Sequence, residues 1–374
     1  MLEAGGRVLP TNAEPRVRRA GGVSVSDAKA AENAAFPSSS RAERPATIYD
    51  VARVAGVSHQ TVSRHLKGFA GIRPETRERV ERALESLDYR PNMTARTLAT
   101  NRSHRVGALT HEISQVGPSK IMQGASAAAR EAGYLLDIVS LDVEDASAVQ
   151  QALTLITQQD IAGLIAFSST DVMTEAFVSR DFPMPTLIEV EDDDLVGGHP
   201  TSLNFRGFRA VVDHLVGLGH TRFFHIAGPP GWVSARNREL SYARALAEHG
   251  LTSLGTAHGD WSSASGFAAA EQISAALGVT AVVVSNDQMA LGAMLSLKRR
   301  GIRVPDDVSV TGFDDIPEAA YFQPPLTTVR LDFDTQGRAS FHRLLRLIEG
   351  PSASPPPPLT IELMVRESTS RPPT

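Results

Sequence analysis

Two groups of side chains in this chain are of the types and spacings that recognise other molecules. His59, Gln60, Ser63 and Arg64 fall within six consecutive positions, and a helix through them would put donors and acceptors where they can read base edges or hold phosphates in a major groove. Farther on, Arg238, Trp261, Asn286 and Asp314, with Arg236, Asp287 and Asp315 beside them, form a different set. A carboxylate accepts from two neighbouring hydroxyls, an amide donates and accepts, and arginine donates in a planar fork. An aromatic face covers the apolar C–H side of a sugar ring, so this second set suits a small polyhydroxylated ligand.

The first group needs a short helix held by two others. Thr47 can cap a first helix, with Asp50 three residues on in the place of the usual Glu of a capping box. Val51, Ala52, Val54 and Ala55 give that helix an apolar side, Gly56 breaks it and Val57 fills the corner. Ser58 caps a second helix, whose Val62 and Leu66 share one face. Pro74 suits the first turn of a third helix with a buried stripe of Val80, Ala83, Leu84 and Leu87. This is the pattern of a helix-turn-helix DNA reader. A plain solvated face for Gln60 and Arg64 is the rival reading, and charge speaks against it. Residues Arg41 to Arg105 hold 13 Lys+Arg against 7 Asp+Glu, about +6, while the whole chain is −5, which leaves about −11 elsewhere.

The second group needs strand ends. Between Arg105 and Thr369, apolar runs at Val106–Leu109, Leu135–Val139, Leu164–Phe167, Phe223–Ala227, Ala281–Val284 and Val308–Thr311 alternate with helical segments such as Gly124–Ala132, Ala235–Glu248, Ala264–Leu277 and Ala290–Arg300. Such alternation predicts doubly wound α/β layers with parallel sheets, which bind ligands beyond the carboxyl ends of their strands. Asn286 and Asp287 follow one strand run directly and Asp314 and Asp315 follow another. Bland roles compete for each: Trp261 as core, Arg236 paired with an acid, and Asp287 and Asp315 as helix caps. The acidic run Glu189–Asp194 reads as a solvated loop rather than a metal site.

The 374 residues suggest two to three domains, and the absence of cysteine excludes disulfides and thiolate metal sites. No apolar run is long enough to span a membrane and no secretory signal is evident, which predicts a cytoplasmic protein. Residues 1–45, rich in Ala, Gly, Ser, Arg and Pro without periodicity, read as a disordered extension or as coding sequence upstream of the true start. The run from Pro351 to Pro358 reads as a stiff connector.

The segments TIYDVARVAGVSHQTVSR, YRPNMTARTLA, VSARNR, GDWSSASGF, SNDQMALGAM and GFDDIPEAAYFQPPLTTVR stand in the order and spacing of the lactose-repressor (LacI/GalR) family, which the chain resembles from about Thr47 to Thr369. The resemblance implies a helix-turn-helix domain at 46–91, a hinge helix and linker at 92–104, and a two-lobed effector-binding and dimerisation domain at 105–369, like periplasmic sugar-binding proteins. Lobe 1 would span about 105–202 and 333–352, and lobe 2 about 203–332 and 356–369. It also implies base contacts from His59, Gln60 and Arg64 and phosphate contacts from Thr47, Ser58, Thr61 and Asn92. Tyr49, Ser63 and Ala95 complete the expected DNA-binding set, with Leu98 as a wedge between base pairs. Arg238, Asn286 and Asp314 match sugar-bonding positions, and Trp261 and Phe333 match aromatic pocket walls. His65, Lys67, Glu112 and Leu331 depart from the usual residues.

The expected function is that of a repressor binding a pseudo-palindromic operator in double-stranded DNA as a homodimer, controlled by a small sugar, with a galactoside as the first guess. No counterpart of a tetramer helix follows Thr369, so dimers are expected. No metal or cofactor is expected. Corepression by a non-sugar ligand, a transport receptor and an enzyme are the rivals; the chain has no GxSxG, HExxH, P-loop or Rossmann motif.

Overall fold

The computed structural model describes residues 46–66, 68–89, 103–111, 113–141, 146–190, 203–351, 355 and 357–373. Chain contacts divide it into two units, with the boundary between Asn92 and Met93. The expected extension at 1–45, the hinge positions Asn92, Ala95 and Leu98, the departures at Lys67 and Glu112, and the acids after Val190 lie outside the described residues.

In the first unit, α1 (Ile48–Ala55) starts on a reciprocal cap: the Thr47 N–H donates to Asp50 Oδ2 (3.0 Å) and the Asp50 N–H to Thr47 Oγ1 (3.4 Å). Gly56, at φ +64°, ends α1 in the left-handed region where a side chain would be strained. Ser58 then caps α2 (His59–Leu66), its Oγ accepting the Thr61 N–H at 3.2 Å. Pro74 opens α3 (Pro74–Ser86). Val51, Ala52, Ala55, Val62, Val80 and Ala83 form the common core, with Leu66, Leu84 and Leu87 packed against it. Val54 is not part of it; it is 56% exposed, because the short helix can turn only one stripe inward.

The second unit holds two four-stranded parallel sheets. The first has the order β2–β1–β3–β4, from β1 (Arg105–His111), β2 (Leu135–Leu141), β3 (Gly163–Ser168) and β4 (Thr186–Val190). Its connecting helices are α4 (Val116–Glu131), α5 (Ala146–Thr157) and α6 (Asp171–Val178). After α7 (Leu203–Leu218), the second sheet has the order β6–β5–β7–β8. It is built from β5 (Phe223–Ala227), β6 (Ser253–His258), β7 (Ala281–Val284) and β8 (Ser309–Thr311), linked through α8 (Val233–Glu248), α9 (Ser263–Glu271) and α10 (Asp287–Arg299). An antiparallel ribbon of β9 (Thr328–Leu331) and β10 (Ile361–Met364) flanks α11 (Phe333–Glu349) in the sequence.

Two layers therefore share one chain out of order. Phe341, Leu344 and Leu345 of α11 return to the core of the first sheet beside Val106 and Ala108. Phe208, Val211 and Leu215 of α7 pack with Phe223 and Val283 of the second. All six predicted strands form. The helix expected from Gly124 begins eight residues earlier, at Val116, since Pro118 sits within the first turn where a missing N–H is harmless. The helix expected to reach Leu277 stops at Glu271 and resumes as a single 3-10 turn.

Candidate functional site

A cavity of about 440 Å³ opens at the carboxyl ends of both parallel sheets. The doubly wound layout fixes this place, since the loops leaving parallel strands gather there. Arg238, Trp261, Asn286, Asp314 and Phe333, far apart in the sequence, all stand on its wall.

Arg238 comes from the second turn of α8. Its Nη2 donates to Asp314 Oδ1 at 3.0 Å, its Nη1 donates to the Ser285 carbonyl, and its guanidinium lies 4.4 Å from the Phe313 ring and 5.4 Å from that of Trp261. Asp314 holds φ +108°, and burial pushes its carboxyl up against the opposing pull of the Arg238 charge. Trp261 is 7% exposed, with φ +73°. Its ring lies against the backbone of Gly228, where any β-carbon would come within 2.3 Å of it. Asn286 works for the scaffold: Oδ1 accepts the Met289 N–H (2.9 Å) to cap α10, and Nδ2 donates to the Trp261 carbonyl (3.0 Å). Phe333 opens α11, which Asp332 caps through the Thr335 N–H (3.0 Å).

Neither neighbouring acid is the helix cap that its position suggested. Asn286 takes that role at α10, so the buried Asp287 turns to the β8–β9 region. There it accepts the Thr328 hydroxyl (2.6 Å) and the Ile316 N–H (2.8 Å), and burial raises its carboxyl well above the usual range. Asp315 is held between Arg330 (2.8 Å) and Arg366 (2.6 Å). Arg236 does pair with an acid, Asp171, through two bonds of 2.9 and 3.1 Å.

The first sheet supplies wall residues that the sequence reading passed over. His111 ends β1, its Nδ1 2.9 Å from Ser169 Oγ, and burial lowers its pKa to about 4. Trp232 precedes α8 and stands edge-on to His111, centroids 4.8 Å apart. Both positions obey the strand-end rule that flagged Asp314, and that rule could have found them. Glu189, at the end of β4, lies 2.8 Å from Arg343 without an aligned hydrogen bond at Oε1; burial raises its carboxyl against the Arg343 charge. Buried polar atoms with no hydrogen-bond partner also belong to the wall: Arg238 Nε, Trp261 Nε1 and Gln288 Oε1. Each such atom costs roughly 1–3 kcal/mol until something bonds it.

In the first unit, His59, Gln60 and Arg64 are exposed along α2 and Ser63 is half-buried. The Arg64 guanidinium lies 5.7 Å from the ring centre of Phe69, a residue the sequence reading did not single out. Tyr49 is 66% exposed, its ring centre 5.2 Å from that of His59. Thr47, Ser58 and Thr61 sit at helix N-termini, where N–H groups and hydroxyls suit an anion.

Residues 47–92 match the family model for bacterial regulatory proteins of the lacI family, and residues 212–369 match that for a periplasmic binding protein-like domain. The chain is 35% identical over 335 residues to the lactose operon repressor of Escherichia coli (strain K12), spanning 88% of this chain and 92% of that protein. It is 33% identical over 349 residues to the HTH-type transcriptional regulator CelR of Thermobifida fusca, spanning 88% and 99%. A lac repressor dimer bound to operator and the anti-inducer ONPF aligns with a TM-score of 0.75 at 33% identity, covering 87% of this chain and 100% of that one. A CelR–cellobiose complex aligns with a TM-score of 0.62 at 28% identity, covering 86% and 99%. Extended similarity at both ends of the chain, in reader and cavity alike, leads to one conclusion: the protein belongs to the LacI family of bacterial regulatory proteins.

Proposed function

We propose that the protein is a transcriptional repressor that binds a pseudo-palindromic operator as a homodimer and releases it when a small saccharide fills the cavity. In this reading residues 46–91 read DNA, 92–104 form the hinge, and 105–369 bind effector and partner, with lobes at about 105–202 plus 333–352 and 203–332 plus 356–369. His59, Gln60 and Arg64 contact bases. Thr47, Tyr49, Ser58, Thr61, Ser63, Asn92 and Ala95 position the protein on the duplex, and Leu98 wedges a base step.

The observation that carries the effector half is the cavity wall itself. Its charges are already matched: Arg238 with Asp314 at 3.0 Å, Glu189 with Arg343 at 2.8 Å. His111 is neutral near pH 7 because burial lowers its pKa to about 4. An anionic ligand would find no spare cation among these groups, whereas a hydroxyl-rich neutral one meets donors, acceptors and aromatic faces. A neutral sugar thus fits better than a sugar acid or phosphate. The relatives that carry the DNA half are named as a lactose operon repressor and as a structure bound to operator.

The effector would act by favouring one lobe arrangement; a coupling of ~1–3 kcal/mol corresponds to roughly 5–150-fold in operator affinity. The test is a titration of operator selected from random DNA against a panel of neutral mono- and disaccharides, with glucuronate and glucose 6-phosphate as charged controls. Release by a neutral sugar supports the reading. Tighter binding with ligand makes the ligand a corepressor, and chemical turnover of any sugar overturns the non-enzyme assignment.

A further inference from the structure

Trp232 is one of only two tryptophans in the chain, and both stand on the cavity wall. It occupies the N-cap position of α8 without a side-chain capping bond, at a site where small polar residues are favoured. Its indole therefore does nothing for the helix end. Its backbone, not its ring, makes the antiparallel bridge to Thr170. The ring faces other rings: Trp261 at 6.1 Å and 74°, and His111 at 4.8 Å and 76°.

These contacts form a row along the cavity wall, from Arg238 through Trp261 and Trp232 to His111. Polar groups stand at both ends. Asp314 and Arg238 mark the second-sheet end, and Glu189 and Ser169 belong to the first sheet. One pyranose ring bonded to Arg238 and Asp314 and lying on Trp261 occupies only the second-sheet end. We infer that Trp232 forms the wall of a second subsite, which takes the apolar face of a further pyranose ring, and that this residue makes the site prefer disaccharides to single-ring glycosides. The inference rests on the saccharide reading of the cavity and adds a residue that sets ligand length. Glu189, paired with Arg343 at 2.8 Å, closes the first-sheet side of the same cavity.

Because both tryptophans line the cavity, intrinsic fluorescence of the full chain reports binding directly. Wild type, Trp232→Leu and Trp232→Phe are titrated with cellobiose, lactose, methyl β-glucoside and methyl β-galactoside; Trp261 supplies the signal in both variants. At least one disaccharide should bind wild type about tenfold more tightly than its methyl glycoside, a difference on the scale of one aromatic face. Trp232→Leu should erase that advantage while shifting the methyl glycosides less than twofold, and Trp232→Phe should keep most of it. Equal loss for one-ring and two-ring ligands, or no loss for either, overturns the second subsite and leaves the saccharide reading standing. If wild type binds operator but responds to none of the four, the saccharide reading falls and the subsite with it.

Discussion

Arg238 and Asp314 form a closed ion pair at the inner end of the cavity: Nη2 meets Oδ1 at 3.0 Å, and their side chains are 9% and 11% exposed. Removing one charge strands the other in a low-dielectric site. Asp314→Ala should therefore destabilise the fold by about 3–5 kcal/mol as well as abolish the effector response. Replacing both, as Arg238→Met with Asp314→Leu, should restore much of the stability and none of the response. Urea unfolding beside an effector titration separates the two effects; an unchanged midpoint for Asp314→Ala alone would show that the pair contributes nothing to folding.

Arg64 and Phe69 provide a test in the first unit. The guanidinium lies 5.7 Å from the ring centre, and Gly71 lets the ring pack where a β-carbon would come within 2.5 Å of it. Arg64→Ala should cost ~1–3 kcal/mol of operator affinity and relax the preference at one base pair. Phe69→Ala should relax the same position more weakly, because the arginine loses the surface that orients it. Selection from random DNA with each variant checks both, and an unaltered preference with Arg64→Ala would move the reading residues elsewhere.

Gly228 seats the Trp261 ring, so Gly228→Ala should push the indole out of place. Overpacking of this kind costs about 1–3 kcal/mol. The expected signature is a shifted tryptophan emission together with weaker effector binding. Normal emission and normal binding would mean that the ring has room to spare.

The buried histidines should cost stability on acidification, against the opposite contribution of the raised carboxyls of Asp287, Asp314 and Glu189. Burial lowers His111 to about 4 and His225 to about 3, from an ordinary value of 6.5. His225 Nδ1 donates to the Val283 carbonyl (2.9 Å), with Nε2 3.2 Å from Ser285 Oγ, which fits the neutral ring. Between pH 6.5 and these lowered values the unfolded chain takes up protons that the folded chain refuses. The stability that these two neutral rings contribute above pH 6.5 is therefore lost as pH falls toward 4, by about 3 kcal/mol for His111 alone. Unfolding free energies of wild type and His111→Gln measured from pH 7.5 to 4 isolate this contribution: the variant should lose about 3 kcal/mol less than wild type over that range.

Much of this architecture was legible because its signals are local. Thr47 with Asp50, Gly56 and Pro74 announce helix ends by backbone chemistry, and the runs of β1, β3, β5 and β7 are almost wholly apolar and buried because both faces of an inner parallel strand are covered. Asp314 and Arg238 were legible by position at a strand end and a helix start. Asp287 and Asp315 were misread because a cap is a local guess, whereas their partners Thr328, Arg330 and Arg366 come from later strands and from beyond β10. His111 and Trp232 stand where the strand-end rule applies, but their contact with each other exists only once the two sheets face a common cavity.

The return of α11 to the core around Val106 and Ala108 also bears on how the protein is made. During translation the three-helix unit is complete early, whereas the first sheet waits for nearly the whole chain before its apolar face is covered. A ribosome that stops short of Phe333 therefore releases a finished N-terminal unit attached to an uncovered sheet. Such a fragment should be a substrate for chaperones and proteases, so the N-terminal unit should seldom accumulate without the two sheets that follow it.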